Sequence, residues 1–247
     1  MNSIKQIEVI YNNRLVGRLA LTREGLCAFE YSAEWLSSGF SISPFELPLR
    51  SGVFIAKPRP FEGVFGVFDD CLPDGWGLLI LDRYLQQKGI NPCTLTLLDR
   101  LALVGSTGRG ALEFRPDNSV VTRQDFADFE KLALEAEKIL ASDDYMGEGI
   151  EEFQDRGGSP GGARPKIFVR YNDKEWLVKF RAKRDSQSIG VDEYRYSLLA
   201  KECGIEMPET RLFEGKYFGV ERFDRTLGGK LHVVSVAGLI GADYRLP

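Results

Sequence analysis

One segment limits the folds open to this chain more than any other: Arg156 to Phe180, RGGSPGGARPKIFVRYNDKEWLVKF. Four glycines, Gly157, Gly158, Gly161 and Gly162, precede a lysine, and the chain then runs through two strands near 166–171 and 175–181. In the second strand, alternation puts Trp176, Val178 and Phe180 on one face and Leu177 and Lys179 on the other. The segment therefore predicts neighbouring strands entered from a loop whose backbone is unusually free. It leaves two readings open, a phosphate cradle or a flexible approach to a hairpin.

The rest of the chain supplies an α+β setting. Residues 4–31 alternate apolar and polar, with turns at Asn12-Asn13 and Glu24-Gly25, and read as a β-meander. Helices are predicted over Pro73–Lys88, with Asp74 near its start, and over Thr96–Gly105, followed by a strand to Phe114. Pro116-Asp117-Asn118-Ser119 is a turn-forming cluster, and a domain boundary is placed there, giving units 1–116 and 117–247. Over 124–141, Phe126, Phe129, Leu132, Ala136 and Ile139 share one helical face. The chain loosens from Ala141 to Phe153. A helix over Asp192–Cys203 capped by Gly204, and strands at 210–214 and 217–222, complete the reading.

Composition excludes several classes. With 247 residues, 43% hydrophobic and 28% charged, the chain reads as a soluble globular protein of one large or two ordinary domains. It has no apolar run of membrane-spanning length and no signal-peptide layout, which makes the cytoplasm the expected compartment. Cys27, Cys71, Cys93 and Cys203 are scattered, with a single histidine beside them, so buried free thiols are expected rather than a transition-metal site. The net charge of −4 argues against a globally basic nucleic-acid binder. Charge is unevenly placed, however: Asp125–Asp155 holds eleven acidic residues against two lysines, and Arg156–Arg184 nine basic residues against Asp173 and Glu175. That reversal fits either two solvated faces or a local positive field for an anion.

In the glycine segment, Gly161, Gly162 and Ala163 would let backbone N–H groups approach phosphate oxygens, with Arg164 and Lys166 supplying charge. The Walker A ending is absent, and the glycines alone are explained as simply by a plain loop. Lys179 in a strand and Glu193 opening the following helix are the ion pair by which protein kinases hold a lysine against the α- and β-phosphates, and the order loop, lysine, glutamate is that of a kinase N-lobe. The simpler reading of Glu193 is an acid at a helix N-terminus. In YFGVERFDR, Tyr217–Arg225, a strand ends in charged and aromatic residues where a kinase hinge meets adenine, and Glu221 and Phe223 are the candidates there. A salt-bridged surface strand is the alternative. Asp69, Asp70 and Asp74 are explained by turn and helix-start chemistry, and Trp35 and Trp76 as core or partner-facing residues.

On these residues the chain resembles the HipA-like toxin Ser/Thr kinases, the toxin half of HipBA type II toxin–antitoxin systems. The first part carries SPFELPL, FDDCLPDGWGLLILDRYL and TLLDRLALVGSTGRGALEF; the second carries GGSPGGARPK, WLVKF, EYRYSLLAKECGIEMPETRL and GVERFDR. The resemblance implies an N-terminal domain of mixed sheet and helix, then a kinase-like N-lobe of antiparallel sheet plus helix. It implies ATP and Mg²⁺ as cofactors, and a HipB-like helix-turn-helix antitoxin that alone touches operator DNA. The protein substrate it implies is an aminoacyl-tRNA synthetase. Carried over, Gly161 to Lys166 would form the phosphate loop, Lys179 would contact the phosphates, and Glu221 and Phe223 would bracket adenine. The serine that such kinases autophosphorylate to eject the loop is replaced here by Gly161; the nearest hydroxyl is Ser159.

The family's catalytic aspartate, in an Asp-Gly-His-x-x-Asn loop, and its second Mg²⁺-binding aspartate belong to a helical C-lobe. Neither is met before Pro247, and the one histidine, His232, is followed by Val-Val-Ser. The expectation is the N-terminal portion of a HipA-like kinase, inactive by itself and weak toward ATP. A face left apolar, or covered by a second copy in a homodimer, should mark where the helical lobe belongs. The alternative is a short non-enzymatic homologue that docks an antitoxin or regulates a full-length kinase.

Overall fold

The computed structural model describes residues 4–119, 127–157 and 161–243. The chain divides into two compact units. One gathers Met1–Leu72, Cys93–Ser119 and Thr226–Pro247, and the other Pro73–Pro92 and Val120–Arg225. The expected break after Pro116 falls beside one crossing between units, but a linear split at 116/117 misses two exchanges. The helix after Pro73 packs with the second unit because its apolar face, Trp76 and Ile80, completes that core. The segment after Thr226 is tied to the first unit by hydrogen bonds described below.

The first unit is built on a five-stranded antiparallel sheet in the order β4-β3-β2-β1-β5. Its strands are β1 (Gln6–Tyr11), β2 (Arg14–Leu21), β3 (Cys27–Tyr31), β4 (Val53–Ile55) and β5 (Leu112–Arg115). Tyr11 faces Arg14 across a two-residue turn in which Asn12 and Asn13 take φ of 46° and 61°. Asparagine tolerates this left-handed backbone, whose twist suits a hairpin. Inward residues of the sheet, including Val9, Leu19, Phe29 and Phe114, pack with Trp35 of α1 (Ala33–Ser38), Phe68 of α2 (Gly66–Asp69) and Leu98 and Leu101 of α4 (Leu97–Val104). Helix α4 begins with a capping box: Thr96 Oγ1 accepts from Asp99 N–H, and Asp99 accepts from Thr96 N–H at 2.9 Å.

In the same unit the chain after Thr226 is fixed at several points. Lys230 donates to the Ser106 carbonyl at 2.6 Å and pairs with Glu113 at 2.5 Å, and Ser235 N–H donates to Asp70 at 2.5 Å. Gly238 of α8 (Val236–Ile240) lies so near Gly66 of α2 that a Cβ on Gly66 would fall 2.2 Å from the Gly238 carbonyl oxygen. His232 is half-buried, its Nε2 2.8 Å from the Ile42 carbonyl oxygen, and desolvation holds its pKa below the ordinary 6.5. The unfolded chain then binds the proton more readily than the folded one. This contribution to stability is complete above pH 6.5 and is lost as pH falls from there toward the lower folded value. His232→Gln, which does not titrate, should flatten the fall in unfolding free energy between about pH 7 and 5. Denaturant melts of both proteins across that range check it, and parallel curves would contradict it.

The second unit has a four-stranded antiparallel sheet, order β6-β7-β9-β8. Its strands are β6 (Lys166–Tyr171), β7 (Lys174–Lys179), β8 (Thr210–Phe213) and β9 (Tyr217–Glu221), with α7 (Ile189–Glu202) inserted between β7 and β8. The β6–β7 hairpin is also closed by two residues, Asn172 and Asp173, with φ of 49° and 59°. One sheet face, with Ile167, Val169, Trp176, Val178 and Phe213, is buried with residues of α3 (Gly75–Gln87), α5 (Phe129–Ala141) and α6 (Gly149–Gly157). Buried Arg83 of α3 donates to the Ile139 and Ser142 carbonyls at 2.7 and 3.0 Å, answering acceptors that the end of α5 leaves open.

Several expectations change. Phe126, Gly158 and Ser159 lie outside the described residues. The stretch read as loosening after Ala141 contains α6. Its apolar residues are few, but Ile150 and Phe153, three apart, are both fully buried in the core. Arg156 and Gly157 therefore end a helix rather than open a loop. The acidic and basic runs are not simply two separate faces, because Glu137 of the first pairs with Arg181 of the second. Trp35 and Trp76 are both core, at 1% and 2% exposure. Of the four thiols only Cys27 and Cys71 are buried, and desolvation raises both to about 12. Cys93, in a 3-10 turn of helix over Pro92–Thr94, and Cys203, at the end of helix Ile189–Glu202, are exposed. Among the described residues no helix is long and apolar enough to cross a membrane.

Candidate phosphate-binding face

The face of the second sheet opposite its core carries the two lysines singled out from the sequence. Lys166 stands directly across from Lys179 in the β6–β7 register, and both side chains lie on this face. Like charges placed opposite each other cost a few tenths to about 1 kcal/mol unless something answers them. Lys179 is answered by Glu193 of α7, Nζ to Oε2 3.0 Å, and lies 5.3 Å from the centre of the Phe218 ring. Lys166 is 4% exposed and donates to the Gly161 carbonyl of the glycine loop. Pro165 extends the pairing, its carbonyl accepting from Phe180 N–H at 2.8 Å.

Glu193 is not at the helix start. Helix α7 begins at Ile189, so Glu193 sits in its second turn and the macrodipole reading fails for it; Asp192 is the first-turn acid. The helix can lie this close because Gly190 has no side chain: a Cβ there would be 2.1 Å from the Lys216 carbonyl oxygen. Ser197 and Thr210 bond across the same contact at 2.8 Å. Away from the sheet, α7 exposes Tyr196, Leu198 and Leu199, at 72%, 39% and 51%.

Other predicted site residues are placed differently. Arg164 is held by Asp185 through two bonds of 2.7 and 2.9 Å, and that guanidinium lowers the Asp185 pKa. Glu221 stands opposite Trp176, on the core side of the sheet, and pairs with Lys174 at 2.7 Å. Its carboxylate is thus on the other face from Lys179, and only its backbone remains for the adenine role. Phe223 follows β9 and is 61% exposed. Gly161, Gly162 and Ala163 do lie beside Lys166, with Gly162 at φ +94°.

Sequence reasoning missed two features. Phe168, Leu177 and Val220 are in register across β6, β7 and β9 and form a half-buried apolar rib on the lysine face. Next to it, the Arg222 guanidinium lies 4.2 Å from the Phe168 ring centre and is bonded to Asp224 at 2.8 and 3.0 Å and to Glu175 at 3.3 Å. The alternative of a salt-bridged surface strand for GVERFDR misplaces Arg222 and Asp224, which are buried, because a buried ion network and a solvated one have the same letters. Alternation could have found the rib, since Phe168 and Leu177 share the parity of Lys166 and Lys179.

A cavity of about 290 Å³ opens beside Lys179 and Glu193, bounded also by Glu130, Glu137, Gly190 and Lys216. Its charges are largely matched already, Glu130 by Lys216 and Glu137 by Arg181. It is also at the small end of ligand sites, which run about 300–1,000 Å³. The lysine face is the better candidate. No group of three or more His, Cys, Asp or Glu side chains suited to a metal occurs among the described residues.

Two family models match the chain: the HipA N-terminal domain over residues 7–115 and the HipA-like C-terminal domain over residues 158–246. The chain belongs to the HipA-like family. No curated protein matches it significantly. The two matched stretches are not the two spatial units, since α3 lies in the first match and the second unit, and 226–243 in the second match and the first unit.

Proposed function

We propose that the second unit is the nucleotide-binding portion of a HipA-like Ser/Thr protein kinase. The phosphates of ATP would lie on the loop after Gly161 and against Lys166 and Lys179, with the base on the Phe168, Leu177 and Val220 rib beside the backbone of 221–223. The observation that carries this reading is the pair of directly opposed lysines next to the glycine loop, with one of them fixed by Glu193. Each lysine is held in place, and two cations kept side by side at a glycine loop suit an anionic ligand. Mg²⁺ would arrive with the nucleotide and screen its charge. The partner would be a HipB-type antitoxin, with operator DNA reached through it, and the phosphorylated protein would be an aminoacyl-tRNA synthetase.

These residues lack the Asp-Gly-His-x-x-Asn loop, so affinity should be low and turnover nil. In equilibrium dialysis the 247-residue chain should bind MgATP with a Kd on the order of 1 mM, about −4 kcal/mol. It should transfer no label from radioactive ATP to protein. Failure to saturate at several-fold higher ATP would remove the nucleotide reading, and Lys179-dependent transfer would show that these residues hold a complete catalytic set.

A further inference from the structure

We infer that the first turn of α3 is a positioning element for the phosphate loop, with Asp74 as its principal residue. The inference rests on the nucleotide reading above. Asp74 is the N-cap residue of α3, yet its carboxylate makes no bond to its own helix. Its Oδ1 instead accepts from the N–H of Gly162, 88 residues away, at 2.6 Å. The loop returns the bond: the Gly162 carbonyl accepts from Trp76 N–H at 3.1 Å, taking one of the helix-end donors that an N-cap side chain ordinarily takes. Gly75, between them, has φ +44°, and a Cβ there would fall 2.8 Å from the Gly162 carbonyl carbon and oxygen. The seat is anchored, because the buried Trp76 ring stands edge-on to Phe153, 5.0 Å between centres.

Both polar groups of the Gly162 peptide are therefore spent on α3, while Lys166 holds the Gly161 carbonyl from the other side. An amide already given to a carboxylate is not a phosphate donor. The work of Gly162 is to orient the loop, and the amides of the exposed Ala163 and Arg164 become the ones that face a phosphate. The contact also explains why Asp74, which looks like an ordinary helix start, does not cap its helix.

The test compares the full chain with Asp74→Ala and Asp74→Asn, titrating each with MgATP and separately with adenosine, and following exchange of the Gly162 amide without nucleotide. Asp74→Ala should speed that exchange and weaken ATP about tenfold, the effect of losing one charge-assisted bond. It should leave adenosine binding unchanged, because the loop reads phosphate only. Asp74→Asn keeps an acceptor oxygen and should restore most of the ATP affinity. Equal losses for ATP and adenosine, or faster exchange with unchanged ATP affinity, would make the seat a fold contact and overturn the inference. If the unaltered chain binds adenosine but not ATP, or neither, the nucleotide reading itself fails, and the positioning role with it. Gly75→Ala, which pushes the loop out without removing charge, should reproduce the ATP-specific loss.

Discussion

Gly190→Ala is expected to destabilise the second unit by about 2 kcal/mol and to loosen the Lys179–Glu193 pair. In an open helix the change would be favourable by roughly 1 kcal/mol, since alanine loses less backbone freedom than glycine. At this position the new Cβ would fall 2.1 Å from the Lys216 carbonyl oxygen and 3.2 Å from the Phe218 N. Overpacking costs about 1–3 kcal/mol where side chains can yield, and here the obstacle is backbone, so the steric term wins. The helix has to lift, which gives up its packing on β8 and β9, including the bond of buried Ser197 to Thr210. Urea melts monitored through the tryptophans would give the loss, and an unchanged or raised midpoint would contradict the close packing of α7 on β9.

Lys179→Met should act in the opposite way, with little effect on stability and a large one on ligand. The ion pair it removes is partly exposed, with side-chain accessibilities of 32% and 24%, and pairs of this kind contribute about 1 kcal/mol or less. Methionine keeps an apolar stem but gives up the ammonium over the Phe218 ring, a cation–π contact of about 0.5–1 kcal/mol where it is exposed. A phosphate contact is a charge-assisted bond, so MgATP affinity should fall at least about tenfold while adenosine affinity holds. Glu193→Gln should give a smaller loss, since the lysine stays but is no longer fixed. Unchanged ATP affinity in Lys179→Met would mean that the pair is structural.

The parts of the fold legible in the sequence were those fixed by local rules. Alternation from Lys166 to Phe180 marked both strands and the parity of Lys179, and Gly105 marked the end of α4. Helix α6 escaped because its burial rests on Ile150 and Phe153 amid acidic residues, too few for a periodic signal. Strand β4 is three residues long, and α1 and α8 are six and five, below the length at which a pattern can be read. At the site, charge and glycine content pointed to the loop and the lysines. The side of the sheet taken by Glu221, the capture of Arg164 by Asp185 and the seat at Asp74 depend on partners distant in sequence, which no local rule supplies.

The account stands on where a nucleotide touches the protein, and amide chemical shifts during a MgATP titration of the whole chain report that directly. The predicted result is a set of saturable shifts at Ala163, Arg164, Lys166, Phe168, Leu177, Lys179 and Val220. Residues whose side chains face the core of the same sheet, such as Val169 and Val178, should move far less. Shifts confined to the first unit or to the core side of the second sheet, or none at all at saturating nucleotide, would contradict it.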